Sequence, residues 1–357
     1  MSGGPDKVLI VGAQDALSLC GLPVTTLQEM EKAADEILKT GPESVLIKGA
    51  SMKEPELAQD YWTDGTRRFW ITTPRITSDM PGKAAFFADA VAASIVAGLD
   101  IPDALVVARA RLQQNLRHPQ VEKENLPFLS PIGDVDFPWA SQTAQQWQGR
   151  YSFPAIKCEG PELYPIVDSL GWIRRLAPHG VRTVQLRIKD LSGAELETEI
   201  AEAAQFAREN GLRLFVNDYW ELAIKHGAYG IHLGQEDLAT ARLDEIQKYG
   251  LRLGISTHSY FEAAVAHWLR PSYVALGPIY FTKLKSMRFA PQGTQKLGQW
   301  KRMLGCPLVA IGGITLENAP EVLWEKPDFI SVVGDISTAA NPEGRVQSWI
   351  KLLEGKS

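Results

Sequence analysis

The chain has 357 residues, 45% of them hydrophobic and 22% charged, which is enough for two or more globular domains with substantial cores. A formal charge of -5 and a pI near 5.8 give no electrostatic reason to expect binding to nucleic acid or anionic lipid, though local basic pockets stay open. Three scattered cysteines form neither a metal-spaced cluster nor an even disulfide framework, and no apolar run approaches the roughly 18 residues of a membrane span, so a reducing, cytoplasmic setting is expected.

In chain order, Val8–Val11 and Val45–Lys48 read as short buried strands. Helical periodicity marks Leu27–Thr40, Ala84–Ala97 and Asp103–Leu116, with Thr26 as an N-cap and Gly98 as a stop. This first region, residues 1–117, is α/β with few strand candidates. From 118 to 152, Pro127, Pro131, Pro138 and a Gln-rich patch interrupt any period, and a linker is expected there, packing on a neighbour through Phe128, Phe137 and Trp139. Residues 153–357 then become regular. Strands are expected at Leu163–Val167, Thr183–Ile188, Arg213–Val216, Tyr229–Leu233, Arg252–Ser256, Tyr273–Gly277, Pro307–Ile311 and Phe329–Val333, alternating with helical stretches such as Ala194–Asn210 and Phe261–Trp268. Eight such units predict a (β/α)8 TIM barrel with its site at the strand C-termini, and a doubly wound sheet is the alternative.

The polar residues gather at those ends. Alternation puts Gln185, Arg187 and Lys189 on one face, where an anionic ligand or internal ion pairs with Asp218 or Asp237 would satisfy them. Asn217 and Asp218 end the third strand, and Asp237 follows the fourth. Two carboxylates beside cations suit Mg²⁺, which completes its shell with water and phosphate oxygens; a helix cap and a solvated turn residue are the plainer alternative. Ser256 ends the fifth strand and offers a hydroxyl to a phosphate or a ring nitrogen, while His232 and His258 read as structural. The loop after the sixth strand carries Thr282, Lys283 and Lys285. Gly312-Gly313 and Val333-Gly334, after the last two strands, let backbone N–H groups approach a phosphate.

From Leu163 onward the chain resembles thiamine phosphate synthase, on six ordered segments: Gln185 to Asp190, Asn217-Asp218, Gly230 to Asp237, Gly254 to His258, Gly277 to Tyr280, and Ala310 to Ile314. The resemblance implies condensation of 4-amino-2-methyl-5-(diphosphooxymethyl)pyrimidine with 4-methyl-5-(2-phosphoethyl)thiazole, or its carboxylated form, to thiamine phosphate and pyrophosphate. It implies pyrimidine diphosphate contacts along Gln185, Leu186, Arg187, Ile188 and Lys189, and at Asn217, Ser256 and Lys285, with Mg²⁺ on Asp218 and Asp237. Thiazole phosphate contacts fall on Thr282, Leu284, Gly313, Val333 and Gly334. Arg187, Lys189, Ser256 and Lys285 are implied as catalytic, easing pyrophosphate away to leave a pyrimidine carbocation for the thiazole nitrogen. Leu284 stands where the family usually has a threonine, and Gly334 where it usually has serine.

The first region resembles the C-terminal part of hydroxymethylpyrimidine phosphate kinases of the ribokinase-like fold, through Asp15 to Gly21, Gly41 to Gly49, and Ala85 to Ala110. The family's Gly-Thr-Gly-Cys anion hole aligns with Gly82-Lys83-Ala84-Ala85, and its N-terminal half has no counterpart, so a partial, inactive domain is expected. Rival readings are a bifunctional kinase and synthase, a thiazole tautomerase using a histidine near His258, and a thiamine phosphate sensor without turnover. The implied partners are small molecules, without nucleic acid or membrane, and self-association is compatible with the sequence.

Overall fold

The structure, a computed structural model, describes residues 8–49, 56–78, 80–118, 131–144, 151–156, 158–282 and 290–355. The chain divides into two compact units: Met1–Arg150 with Ser259–Leu269, and Tyr151–His258 with Arg270–Ser357.

The first unit is built on a five-stranded sheet in the order β1-β2-β3-β4-β5. Strands β1 (Leu9–Gly12) and β2 (Val45–Lys48) pair in parallel, which the intervening helices α1 (Ala13–Cys20) and α2 (Leu27–Leu38) make possible as a crossover. Thr26 caps α2 as its sequence suggests: the hydroxyl accepts from the Glu29 N–H, and the Glu29 carboxylate accepts in return from the Thr26 N–H at 2.9 Å. Strands β3 (Leu57–Thr63) and β4 (Arg68–Pro74) form an antiparallel hairpin that the sequence reading did not anticipate. Their apolar residues are interrupted by Gln59, Asp60, Thr72 and Thr73, all buried, so no period stands out. Helices α3 (Lys83–Val96) and α4 (Ile101–Arg117) pack on each other, and Arg109 of α4 supplies what the buried polar residues need. Its Nη1 lies 3.0 Å from Asp60 Oδ2, and its Nε and Nη2 donate to Thr73 Oγ1 at 3.1 and 2.8 Å.

The stretch read as a linker contains a strand. β5 (Trp139–Ser141) joins the open side of β4, directly after Pro138, whose missing N–H is tolerated where a sheet ends.

The second unit closes into a barrel. Eight parallel strands follow one another around it: β6 (Glu162–Val167), β7 (Thr183–Leu186), β8 (Arg213–Asn217), β9 (Gly230–Leu233), β10 (Arg252–Thr257), β11 (Tyr273–Leu276), β12 (Leu308–Ile311) and β13 (Phe329–Val332), with β13 pairing back onto β6. All eight expected strands are present. Their cores are buried on both faces, which is why they read as continuous apolar runs rather than alternating ones. The helices between them are α5 (Leu170–Leu176), α6 (Gly193–Glu209), α7 (Trp220–Lys225), α8 (Gln235–Leu238), α9 (Leu243–Lys248), α10 (Tyr260–Leu269), α11 (Gly293–Met303), α12 (Ala319–Trp324), α13 (Gly334–Ser337) and α14 (Pro342–Glu354). Of these, α10 belongs to the first unit. The barrel interior is plugged by a layer of rings from Tyr164, Phe215, Tyr273 and Phe329. Two glycines make room for it. A Cβ on Gly254 would lie 2.0 Å from Tyr273 Cζ, and one on Gly230 would lie 2.5 Å from Phe215 Cε1. Among the described residues no helix is long and apolar enough to cross a membrane.

The Arg109–Asp60 pair is almost fully buried, with side chains 6% and 1% exposed. Asp60→Ala is expected to destabilise the first unit by about 3–5 kcal/mol, because it strands a guanidinium without its counter-charge. Hydrogen exchange of the β3 and β4 amides in the full chain reads this loss, and unchanged protection would contradict it.

Candidate active site

Strand β7 delivers Gln185 into the interior, only 3% exposed, while Leu186 and Ile188 turn to the other face and are buried at 1% and 4%. The Arg187 N–H donates to Val167 O at 2.7 Å, which prolongs the β6–β7 pairing past the end of the strand. Lys189 then reaches across to β8, its Nζ 2.7 Å from Asp218 Oδ2. Asn217 is the last residue of β8 and is buried. Asp218 follows it at φ 68°, a left-handed backbone that costs a residue with a Cβ about 1–3 kcal/mol. Its N–H is held by His232 O at 3.1 Å, and its side chain pairs with Lys189 rather than capping the next helix, whose N-cap is Tyr219.

Asp237 stands in the first turn of α8, with one carboxylate oxygen accepting from the Gly234 N–H at 3.2 Å. Its pKa is raised above the ordinary aspartate value, first by partial burial and then by the charge of Asp218, while Lys189 acts in the opposite sense. Asp218, paired with Lys189, is thus the charge that Asp237 senses, and a further positive charge would relieve the two carboxylates. Oxygen donors alone suit a hard cation. Among the described residues no cluster of three or more His, Cys, Asp or Glu forms, and a cation held by Asp218 and Asp237 alone would complete its shell from water and phosphate. That donor set fits Mg²⁺.

Below these charges runs a chain of polar side chains. Ser256 Oγ lies 2.8 Å from His232 Nε2, His232 Nδ1 lies 2.7 Å from Tyr273 Oη, and Tyr273 Oη lies 2.8 Å from Tyr164 Oη. Gln185 Nε2 donates to Tyr164 Oη at 3.4 Å. The Ser256 carbonyl accepts from Gln235 Nε2 at 2.7 Å, which fixes the end of β10. His232 reads as structural in the sequence, and here it touches a candidate substrate residue. Tyr164 and Tyr273 were not singled out at all. The available signal was a tyrosine opposite a glycine, since Tyr273 is in register with Gly254.

Across the barrel mouth, Gly312 and Gly313 have φ of 97° and 67°. A Cβ on Gly313 would lie 2.6 Å from the Phe281 carbonyl oxygen, and one on Gly312 would lie 2.6 Å from Pro278 Cα. Asn318 ties this turn together, donating to Gly313 O at 3.0 Å and accepting from the Thr315 N–H at 2.9 Å. Thr282 is half-buried in the adjoining loop. Leu284 and Lys285 lie outside the described residues. Val333 and Gly334 open α13, and the next residue, Asp335, is anchored by Arg345 Nη2 at 2.6 Å and by Trp349 Nε1 at 2.6 Å, both from α14. The turn after β13 is thus set from behind.

A family profile described as thiamine monophosphate synthase matches residues 163–336, and one described as phosphomethylpyrimidine kinase matches residues 7–128. The chain is 51% identical over 195 residues to the thiamine-phosphate synthase of Yersinia pseudotuberculosis, covering 54% of this chain and 91% of that protein. To the thiamine-phosphate synthase of Cronobacter sakazakii it is 53% identical over 191 residues, covering 53% and 91%. A thiamine phosphate pyrophosphorylase structure from Pyrococcus furiosus aligns with 55% of this chain and 96% of its own, at 27% identity and a TM-score of 0.49. A pyridoxal kinase structure from Staphylococcus aureus aligns with 31% of this chain and 42% of its own, at 25% identity and a TM-score of 0.30.

Gly313→Ala is expected to lower stability by at least about 1 kcal/mol, from the left-handed backbone alone, and to move the Phe281 carbonyl that the new methyl meets. A denaturant titration checks it, and an unshifted midpoint would contradict the assigned turn.

Proposed function

The chain belongs to the thiamine-phosphate synthase family, and from that membership we infer that its barrel joins a hydroxymethylpyrimidine diphosphate to a thiazole phosphate, giving thiamine phosphate and pyrophosphate. The observation that best supports this is the charge cluster of Lys189, Asp218 and Asp237 at adjacent strand ends, with Arg187 two residues before Lys189 in the chain. A diphosphate carries more negative charge than either cation neutralises alone. Arg187 and Lys189 together offer it a guanidinium and an ammonium, while Asp218 holds Lys189 in place. Magnesium, when bound by Asp218 and Asp237, supplies the remaining positive charge against the leaving group.

Bond cleavage sends the C–O electron pair onto the diphosphate, and the aminopyrimidine ring delocalises the positive charge left on its methylene carbon. The thiazole nitrogen then gives its lone pair to that carbon. No proton leaves a reacting atom in either step, so the site has no need of a strong general base, and fixed charges and dipoles do the stabilising. Gln185, Asn217 and Ser256 hold the pyrimidine of the same substrate, and the resemblance assigns Lys285 to its diphosphate as well. Thr282 and the backbone at Gly313, Val333 and Gly334 take the thiazole phosphate, with both glycines admitting the anion close to the main chain. The three free cysteines suit a reducing cytoplasm.

For the first unit, the match over residues 7–128 favours a second reading, a bifunctional kinase and synthase. Its α3 opens on Gly82, which keeps a left-handed φ of 73°. Lys83, Ala84 and Ala85 follow, in place of the small, hydroxyl- and thiol-bearing residues of an anion hole, so we read this unit as catalytically silent. ATP-dependent phosphorylation of hydroxymethylpyrimidine phosphate would overturn that assignment.

With both substrates and Mg²⁺ the protein is expected to release thiamine phosphate and pyrophosphate. Asp218→Ala should lower kcat/KM by about 100-fold or more, on the scale of losing several kcal/mol of charge stabilisation, and chelation should act alike. No product from the wild type sinks the synthase assignment, and a fully active Asp218→Ala enzyme sinks the cation site.

A further inference from the structure

We infer that Arg345 joins the turns after β12 and β13, through Glu317 on one and Asp335 on the other, and so holds them at the spacing that a single thiazole phosphate requires. Which anion the turns receive rests on the synthase reading. The clamp goes beyond that reading in giving a positioning role to residues assigned no substrate contact, and Arg345 itself lies past residue 336, where the family match ends.

Main-chain pairing of β12 with β13 ends at Ile311 and Ser331, short of Gly313, Val333 and Gly334. Beyond that point side chains must keep the two turns in step. The first turn is closed by Asn318, which binds Gly313 O and the Thr315 N–H, and Glu317 precedes it in the chain. On its other side the Tyr280 N–H donates to Gly312 O at 2.9 Å, two residues before Thr282. The second turn is closed by the Ile336 and Ser337 N–H groups, which donate to Val333 O at 3.1 and 3.0 Å, with Asp335 inside it. Each turn is thus a closed unit bearing one of the two carboxylates. Arg345 meets both.

Its Nε and Nη2 donate to Asp335 Oδ2 and Oδ1 at 3.0 and 2.6 Å, and Nη2 also donates to Glu317 Oε1 and Oε2 at 2.9 and 3.1 Å. Two-pronged pairing of a guanidinium with a carboxylate fixes direction as well as distance. The guanidinium also starts from a firm base. Val346, Trp349 and Leu353 are buried on α14, and Trp349 Nε1 binds the same Asp335 oxygen at 2.6 Å. An exposed ion pair is ordinarily weak because two long side chains must be ordered to make it. Here Asp335, with its side chain 4% exposed, has already ordered Arg345, and only the exposed Glu317 remains to be fixed.

The Thr315 hydroxyl, the N–H of Glu317 itself and Arg345 together bring the Glu317 carboxyl down to about 2, so the bridge keeps its charge at neutral pH. With two carboxylates against one guanidinium, Arg345 has no charge left over for a substrate anion. Its part is to place the turns and not to bind. A helix anchor without this role would need Asp335 but not Glu317.

The test measures kcat and the KM for each substrate, with thermal midpoints alongside, in the wild type, Glu317→Ala and Arg345→Gln. Glu317→Ala leaves the buried Asp335–Arg345 pair intact, so it carries the test should Arg345→Gln fail to fold. The KM for thiazole phosphate is expected to rise about three- to fivefold in Glu317→Ala and about tenfold or more in Arg345→Gln. The KM for the pyrimidine diphosphate and kcat should stay within about twofold. An unchanged thiazole KM in Glu317→Ala, or equal losses for both substrates, would overturn the clamp. A readout that needs no turnover is the NMR shift of the Gly313 and Gly334 amides on titration with inorganic phosphate, in glycine-labelled protein assigned with Gly313→Ala and Gly334→Ala. Both amides are expected to move at one phosphate concentration in the wild type and at a higher one in Glu317→Ala. Amides that stay still or move independently in the wild type, or a midpoint unmoved in the variant, contradict the clamp. A wild type that makes no thiamine phosphate yet passes this titration fails the synthase reading and not the clamp.

Discussion

Two neighbouring carboxylates beside one lysine set the terms for the rest of the site. Asp218 and Asp237 come from successive βα units, and the side-by-side pairing of β7, β8 and β9 brings them together with Lys189 from the unit before. Like charges brought together in a partly buried site are unfavourable unless more positive charge arrives. The fold accepts this, and it also accepts a left-handed backbone at Asp218, a cost that packing elsewhere must offset. A free-energy deficit kept at strand ends is what a cation and a diphosphate together can relieve, so ligand binding and relief of repulsion become the same event.

The strain is affordable because the layer beneath it is stiff. Tyr164, Phe215, Tyr273 and Phe329 fill the barrel as a set of tilted and edge-on rings, each orientation favourable for aromatic pairs. Gly230 and Gly254 admit these rings at distances that any larger residue forbids. Packing and polarity are coupled here: the same Tyr273 ring that closes the core carries the hydroxyl that reaches His232. The mouth residues are therefore positioned from below by hydrogen bonds and from the side by strand register, and on the far side by the Asp335–Arg345 pair behind the last turn.

How much of this was legible in the sequence depends on where each residue's partner lies. The eight barrel strands could be read because a strand buried on both faces is a plain apolar run. That Lys189, Asp218 and Asp237 share the barrel mouth could be read from their places at the ends of such runs, and the Lys189–Asp218 ion pair is one of the alternatives that the sequence left open. The β3–β4 hairpin was hidden because Asp60 is made tolerable by Arg109, far along the chain and on a helix, and nothing local signals that pairing. β5 was hidden by the prolines around it. Tyr164 and Tyr273 were hidden for a related reason: each looks like a core aromatic, and its polar role exists only once barrel closure brings the two hydroxyls into contact. His232 was placed correctly on its strand, but its part in the site depends on Ser256, which belongs to the neighbouring one.

The central claim is that the Asp218–Asp237 pair holds a divalent cation which, with Arg187 and Lys189, binds the diphosphate. Calorimetric titration of the wild type and of Asp237→Asn with the pyrimidine diphosphate, with and without Mg²⁺, tests it most directly. The account predicts binding that requires Mg²⁺ in the wild type and is strongly weakened in the variant. Equal affinity with Mg²⁺ and under chelation in the wild type, or undiminished Mg²⁺-dependent affinity in the variant, would contradict it.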